Sequence, residues 1–117
     1  MNVWDYLAEL DNRLHSLDPL LVSTLIHRDV DANLVIGFIE GRLDFLDGSV
    51  LEFSEQLPPQ RQKFRFHYMN QQNQLITRWN SAPHHHGLRT YPFHRHTPHG
   101  VEEHPAITLL EVLDEIE

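Results

Sequence analysis

Six of the ten histidines lie between His84 and His99, in the clusters His84-His85-His86 and His94-Arg95-His96 and at His99 itself. An imidazole has an ordinary pKa of about 6.5, so it gives and takes protons near neutrality. Transesterification of RNA needs three functions: a base for the 2′-hydroxyl proton, an acid for the 5′-oxygen leaving group, and cations on the phosphate. His84 or His85, paired with His94 or His96, can supply the acid and the base. Arg78 and Arg95 can clamp the phosphate. The same histidines have two other readings. Imidazoles also cap loops by bonding to backbone carbonyls. If the backbone is extended, His84 with His86 and His94 with His96 each point a pair to one side, and four imidazoles can hold zinc. The chain has no cysteine and the nearest acids are Glu102 and Glu103, so the thiolates and carboxylates that usually complete a zinc site are missing. The expectation is a site without an obligatory metal, with zinc as the cofactor to test for.

The charges around this segment are sorted. The formal net charge is −8, yet residues 56–101 hold no Asp or Glu and carry Arg61, Lys63, Arg65, Arg78, Arg89 and Arg95. All 17 acids lie outside, against only Arg13, Arg28 and Arg42. Such polarity suits either a local phosphate-binding patch or internal neutralisation of the basic middle by the acidic ends. Arg65, Arg89, His67 and Asn80 join Arg78 and Arg95 as candidate contacts to RNA phosphates. His15 and His27 are isolated and read as surface or capping residues, and Trp79 reads as core.

Regular elements must position these groups. Val3, Leu7, Leu10, Leu14 and Leu17 form a helical stripe, with Asn2 as N-cap and Asp18-Pro19 as the stop. Leu20 to Ile26 fits a strand, and Asp29 to Asn33 a polar turn. From Leu34 to Phe45 the odd positions Val35, Ile39, Leu43 and Phe45 are apolar, the alternation of a half-buried strand. Asp47-Gly48 marks a hairpin whose loop length follows from parity. A three-residue loop, Leu46 to Gly48, pairs Phe45 with Ser49 and Leu43 with Leu51 and keeps the apolar sets on one face. Phe64, Phe66 and Tyr68 alternate with Arg65, His67 and Met69, and after the turn at Asn70 to Asn73 the strand Gln74 to Trp79 brings Arg78 to the side of Arg65. Residues 80–105 show no period and read as one long loop, of a length that in a compact domain is usually functional or disordered. Thr108 and Glu111 have capping-box spacing ahead of the stripe Leu109, Val112, Leu113 and Ile116, with Glu111, Asp114, Glu115 and Glu117 left in water.

The motif Asn80-Ser81-Ala82-Pro83-His84-His85, the later Tyr91-Pro92-Phe93-His94-Arg95-His96 and the terminal helix together resemble the TumE-type toxins of bacterial toxin–antitoxin systems. The resemblance covers residues 34 to 117. Phe93 stands where the family's second motif has its first histidine, and Arg95 where it has lysine. The resemblance implies the toxic half of a two-gene module, neutralised by an antitoxin protein encoded nearby, with RNA as the suspected target.

The expected architecture is a single α+β domain over residues 1–117: one twisted antiparallel sheet of about five strands with an N-terminal and a C-terminal helix packed on it. The expected activity is that of a metal-independent endoribonuclease toxin. The alternatives are a non-catalytic module whose basic face docks an acidic protein, and a His-ligated zinc protein. Absent cysteines, short apolar runs and an acidic N-terminus point to the cytoplasm and away from membranes. A homodimer is compatible with all three readings.

Overall fold

The computed structural model describes residues 1–116, so the acid expected at Glu117 lies outside the described residues. Helix α1 spans Val3–Leu17 and is followed by a 3-10 turn at Asp18–Leu20. Seven strands come next: β1 Leu21–Asp31, β2 Ile36–Phe45, β3 Val50–Leu57, β4 Phe64–Met69, β5 Leu75–Asn80, β6 His94–Thr97 and β7 Gly100–Glu103. Helix α2, Leu109–Ile116, closes the described chain. Every strand pairs antiparallel with the next in sequence, giving one sheet in the order β1 to β7. The expected count of about five strands is thus corrected to seven. The two extra strands form a hairpin inside residues 80–105, read from sequence as loop. Thr97 pairs with Gly100 across Pro98-His99, and Gly100 takes a φ of +127° that its missing Cβ permits.

Cross-strand partners share a face, so the register sorts the side chains into two sets. Ile39, Glu55 and Phe64 line up on one face, and Gly41, Phe53, Phe66, Trp79 and Arg95 form another row of it. Both helices cover this face, and the core of Val3, Tyr6, Leu7, Leu10, Leu17, Leu43, Leu51, Phe53, Phe66, Trp79, Val112 and Leu113 lies between the layers. Among the described residues no helix lies on the other face. The result is a slab of 38 × 35 × 18 Å.

Local chemistry sets the element ends. Asn2 Oδ1 accepts from the Asp5 amide at 2.8 Å at the start of α1. The Thr108 hydroxyl accepts from the Glu111 amide at 3.2 Å, and a Glu111 carboxylate oxygen accepts in return from the Thr108 amide at 3.1 Å. The β2–β3 hairpin has the expected three-residue loop: the Phe45 amide donates to Ser49 O, Leu43 pairs with Leu51, and Gly48 has φ +85°. Strand β1 runs five residues beyond the expected Ile26, through a stretch read as turn. It can do so because β2 passes the extension closely: Gly37 pairs with Val30, and a Cβ on this glycine would sit 1.9 Å from Asp29 O. No helix among the described residues is long and apolar enough to cross a membrane.

Candidate functional site

The uncovered face is built row by row from the pairing register. One row runs Arg42, Glu52, His67, Arg78, His96 and Val101 across β2 to β7; the next runs Glu40, Ser54, Arg65, Asn80, His94 and Glu103. The alternation in His94-Arg95-His96 therefore puts both histidines on the open face and Arg95 on the covered one. At the β2–β3 end the charges satisfy one another, Arg42 lying 3.1 Å from Asp44 and 3.9 Å from Glu52. At the β4–β6 end imidazoles and guanidiniums predominate.

The segment 81–93 folds back over this end. Asn80 Oδ1 accepts from the Ala82 amide at 2.7 Å and starts the turn. Ser81 Oγ accepts from the Phe64 amide at 2.9 Å, and Thr90 Oγ1 donates to Phe93 O at 2.7 Å while accepting from the His104 amide at 3.1 Å. Tied at both ends, the segment carries His85 to His94 and His96. The nitrogen that each of the three rings offers lies within 4.8 Å of the other two. Ring centroids are 4.8 Å apart for His85 and His94, 5.6 Å for His85 and His96, and 4.9 Å for His94 and His96, all in edge-on arrangements. His94 is 2% exposed, and its Nδ1 lies 2.9 Å from Pro92 O. A carbonyl only accepts, so that nitrogen carries the proton and Nε2 is the free one.

The electrostatics keep His96 neutral. Burial, then the Arg78 guanidinium, then His94, His85 and His67, push it down to about 4. Burial followed by Arg65 and Arg78 likewise lowers His67, and an Arg65 guanidinium N–H lies 3.3 Å from His67 Nδ1. Arg78 Nε is buried without a hydrogen-bond partner in the structure. Among the described residues neither Arg65 nor Arg78 makes an ion pair, whereas Arg89 pairs with Glu103 at 3.1 Å and Arg95 pairs with Glu102 at 2.6 Å and with Glu115 of α2 at 3.7 Å.

The structure thus divides the residues singled out from sequence. It groups His85, His94, His96, His67, Arg65 and Arg78 on one face, with Asn80 supporting the turn beside them. It does not group His84, which is exposed, or His86, which is exposed and stacks on Tyr91 at 4.6 Å. Arg89 sits outside in its ion pair, and Arg95 faces the helices. The i, i+2 argument holds at His94 and His96 because that backbone is a strand; it fails at His84 and His86 because a turn runs through them. No spacing rule marks the middle histidine of the triplet as the inward one. His27 is exposed and packs edge-on against Phe38. Trp79 is core, at 2% exposure.

The fold is a two-layer α+β slab whose open sheet face gathers imidazoles beside arginines that make no ion pair among the described residues. The chain belongs to the TumE toxin family, whose model, described as Toxin TumE, matches residues 10–117. The match begins inside α1 and takes in β1, so it reaches further toward the N-terminus than the motifs that first suggest it. Membership makes the protein the toxin component of a pair and implies a cognate antitoxin. No curated protein and no solved structure matches the chain. The two departures from the family's second motif both fall on the covered side. Phe93 stacks on Phe64 at 6.0 Å, and Arg95 holds Glu102 and Glu115, so neither removes a member of the histidine trio.

Proposed function

We propose that this toxin cleaves RNA in the cytoplasm by metal-independent transesterification on the open face of the sheet. One observation carries the proposal: three imidazoles within 4.8 Å of one another lie beside a guanidinium whose Nε is buried and unpartnered. Among the described residues Arg78 makes no ion pair, and a guanidinium without a carboxylate partner is a suitable donor to a phosphate oxygen. In the reaction a neutral imidazole of the trio takes the 2′-hydroxyl proton as that oxygen attacks phosphorus. A protonated imidazole donates to the departing 5′-oxygen, leaving a 2′,3′-cyclic phosphate and a 5′-hydroxyl. Arg78 and Arg65 hold the non-bridging oxygens, and His67, between them on β4, tunes the field.

The test uses purified toxin free of its antitoxin, which could cover the same face. RNA should be cut to cyclic-phosphate ends, and His94→Ala or His96→Ala should slow cutting by roughly 10²- to 10⁴-fold. Undiminished cleavage by a folded His85, His94 and His96 triple alanine variant rules the histidine mechanism out. A second reading, a non-catalytic face that docks an acidic segment of the antitoxin, draws support from the openness of the sheet face. Tight binding of such a segment by a protein that neither binds nor breaks RNA would put that reading first.

A further inference from the structure

We infer that His85, His94 and His96 form a binding site for a divalent transition-metal ion, zinc foremost, and that filling it shuts off the RNA cleavage proposed above. The first half stands on geometry alone; the second rests on that functional reading. Three nitrogen donors within 4.8 Å of one another need to close by at most about 1.5 Å to reach the spacing of roughly 3.3 Å that tetrahedral zinc with imidazole ligands requires. The arrangement lets them do so. His94 and His96 stand two residues apart on one strand face, fixed by the pairing of β6 with β5, while His85 comes from the overlying segment and can tilt inward. None of the three ring pairs is stacked; their planes meet at 68° to 73°, so small rotations aim the in-plane lone pairs at one point.

The support behind the ligands is of the kind metal sites use. A ligating histidine usually donates its other ring N–H to a carbonyl or carboxylate, which fixes the ring and its tautomer. His94 does this toward Pro92 O, leaving Nε2 as the ligand atom. The donor set is three imidazoles with no carboxylate, which favours zinc, copper or nickel and disfavours magnesium and calcium. Three protein ligands leave a fourth tetrahedral position to be filled from outside the trio, and the nearby Arg78 favours an anion such as chloride there. Once coordinated, the three nitrogens have no lone pair to accept the 2′-hydroxyl proton and no proton to give, so metal binding and acid–base chemistry by these imidazoles exclude each other.

Untagged toxin, stripped with a chelator, is titrated with zinc sulfate and separately with magnesium chloride by calorimetry. One zinc per chain and no magnesium should bind. His96→Ala and His94→Ala should weaken zinc at least tenfold, and the double variant His84→Ala/His86→Ala should not. Because His94 is buried, its variant is compared by circular dichroism, and His96→Ala decides the matter if His94→Ala unfolds. Absence of zinc binding, or equal loss in the His84/His86 variant, overturns the site. In parallel, RNA cleavage is followed with saturating zinc and again after chelation. Loss and recovery support the inhibitory half; unchanged or faster cleavage overturns it. Stripped toxin that cuts no RNA under any condition defeats the functional reading and the inhibitory half together, while the calorimetry still decides the site.

Discussion

Glu55 is a carboxylic acid buried beneath the helices. It points from β3 into the covered layer at 3% exposure, accepts from Tyr6 Oη at 2.6 Å and from the Leu109 amide at 3.1 Å, and so joins both helices to the sheet. Its position caps the first turn of α2, where a negative charge is favoured, but loss of water outweighs that: burial pushes its pKa up to about 7, with Glu111 adding to the rise. The ordinary value is 4.5. Between about 4.5 and 7, therefore, the unfolded chain has lost this proton and the folded one still holds it, so folding is favoured at the acid end and this contribution fades as pH rises to 7. The full span is worth about 3 kcal/mol. Glu55→Gln keeps a hydrogen-bonding group without the charge, so the stability difference between variant and parent should change by up to that amount between about pH 5 and pH 8 in urea titrations. A difference that does not vary with pH would show that Glu55 titrates normally. Tyr6, donating into the same carboxylate, has its own pKa raised by burial and by that charge.

At the scale of elements, the β2–β3 hairpin is the piece whose register follows most directly from residue order. Parity alone makes a two-residue loop waste the apolar pattern, and the structure pairs Leu43 with Leu51 and Phe53 with Phe66 on the covered face. Phe53→Ala should accordingly cost about 3 to 5 kcal/mol in chemical denaturation, since the ring is 4% exposed and fills the layer beneath the helices. A loss under about 1 kcal/mol would be incompatible with that burial. The helix ends were equally legible, because Asn2, Asp18-Pro19 and the Thr108/Glu111 pair act within one turn. The β6–β7 hairpin was not. Its strands are four residues each, and its outward set holds His94, His96 and Glu103, so no apolar alternation betrays it. The remaining signal was Thr97-Pro98-His99-Gly100, a turn whose glycine takes a positive φ. At the site, chain order could place His94 with His96 and Arg65 with His67 and Arg78 on common faces. It could not reveal that His85 alone turns inward, nor that Arg95 would be claimed by acids of β7 and α2, since both depend on contacts distant in sequence.

The whole molecule is a charged slab with unlike sides. Asp5, Glu9, Asp11, Glu111, Asp114 and Glu115 belong to the helical layer, where Arg28 pairs with Asp11 at 2.8 Å and Arg13 pairs with Asp114. Within the basic middle, Arg89 and Arg95 are neutralised by Glu103, Glu102 and Glu115, and Arg65 and Arg78 are left on the open face beside the histidines. On the function proposed above, a polyanion is repelled by the acidic helical layer and attracted to the β4–β6 end of the open face, where Arg65 and Arg78 lie. RNA binding should weaken as salt rises, and each of Arg65→Ala and Arg78→Ala should flatten the log-affinity against log-salt slope by about 0.7, the counterion release for one single-strand phosphate. Arg95→Ala should leave the slope unchanged, its charge being held among Glu102 and Glu115. A slope equally affected by all three would mean that RNA does not read this face.

The strictly sequential strand order has a consequence during synthesis. Each strand's neighbour is the one made just before it, so the sheet can grow as the polypeptide leaves the ribosome, without waiting for a distant partner. The histidine trio is completed only when β6 adds to β5, and the covered face is sealed only when α2 arrives. A nascent or truncated toxin that ends before His94 has most of a sheet and none of the trio but His85. On the function proposed above, the reactive part of the molecule is among the last to be assembled, and a premature stop or frameshift anywhere upstream of β6 leaves the trio incomplete.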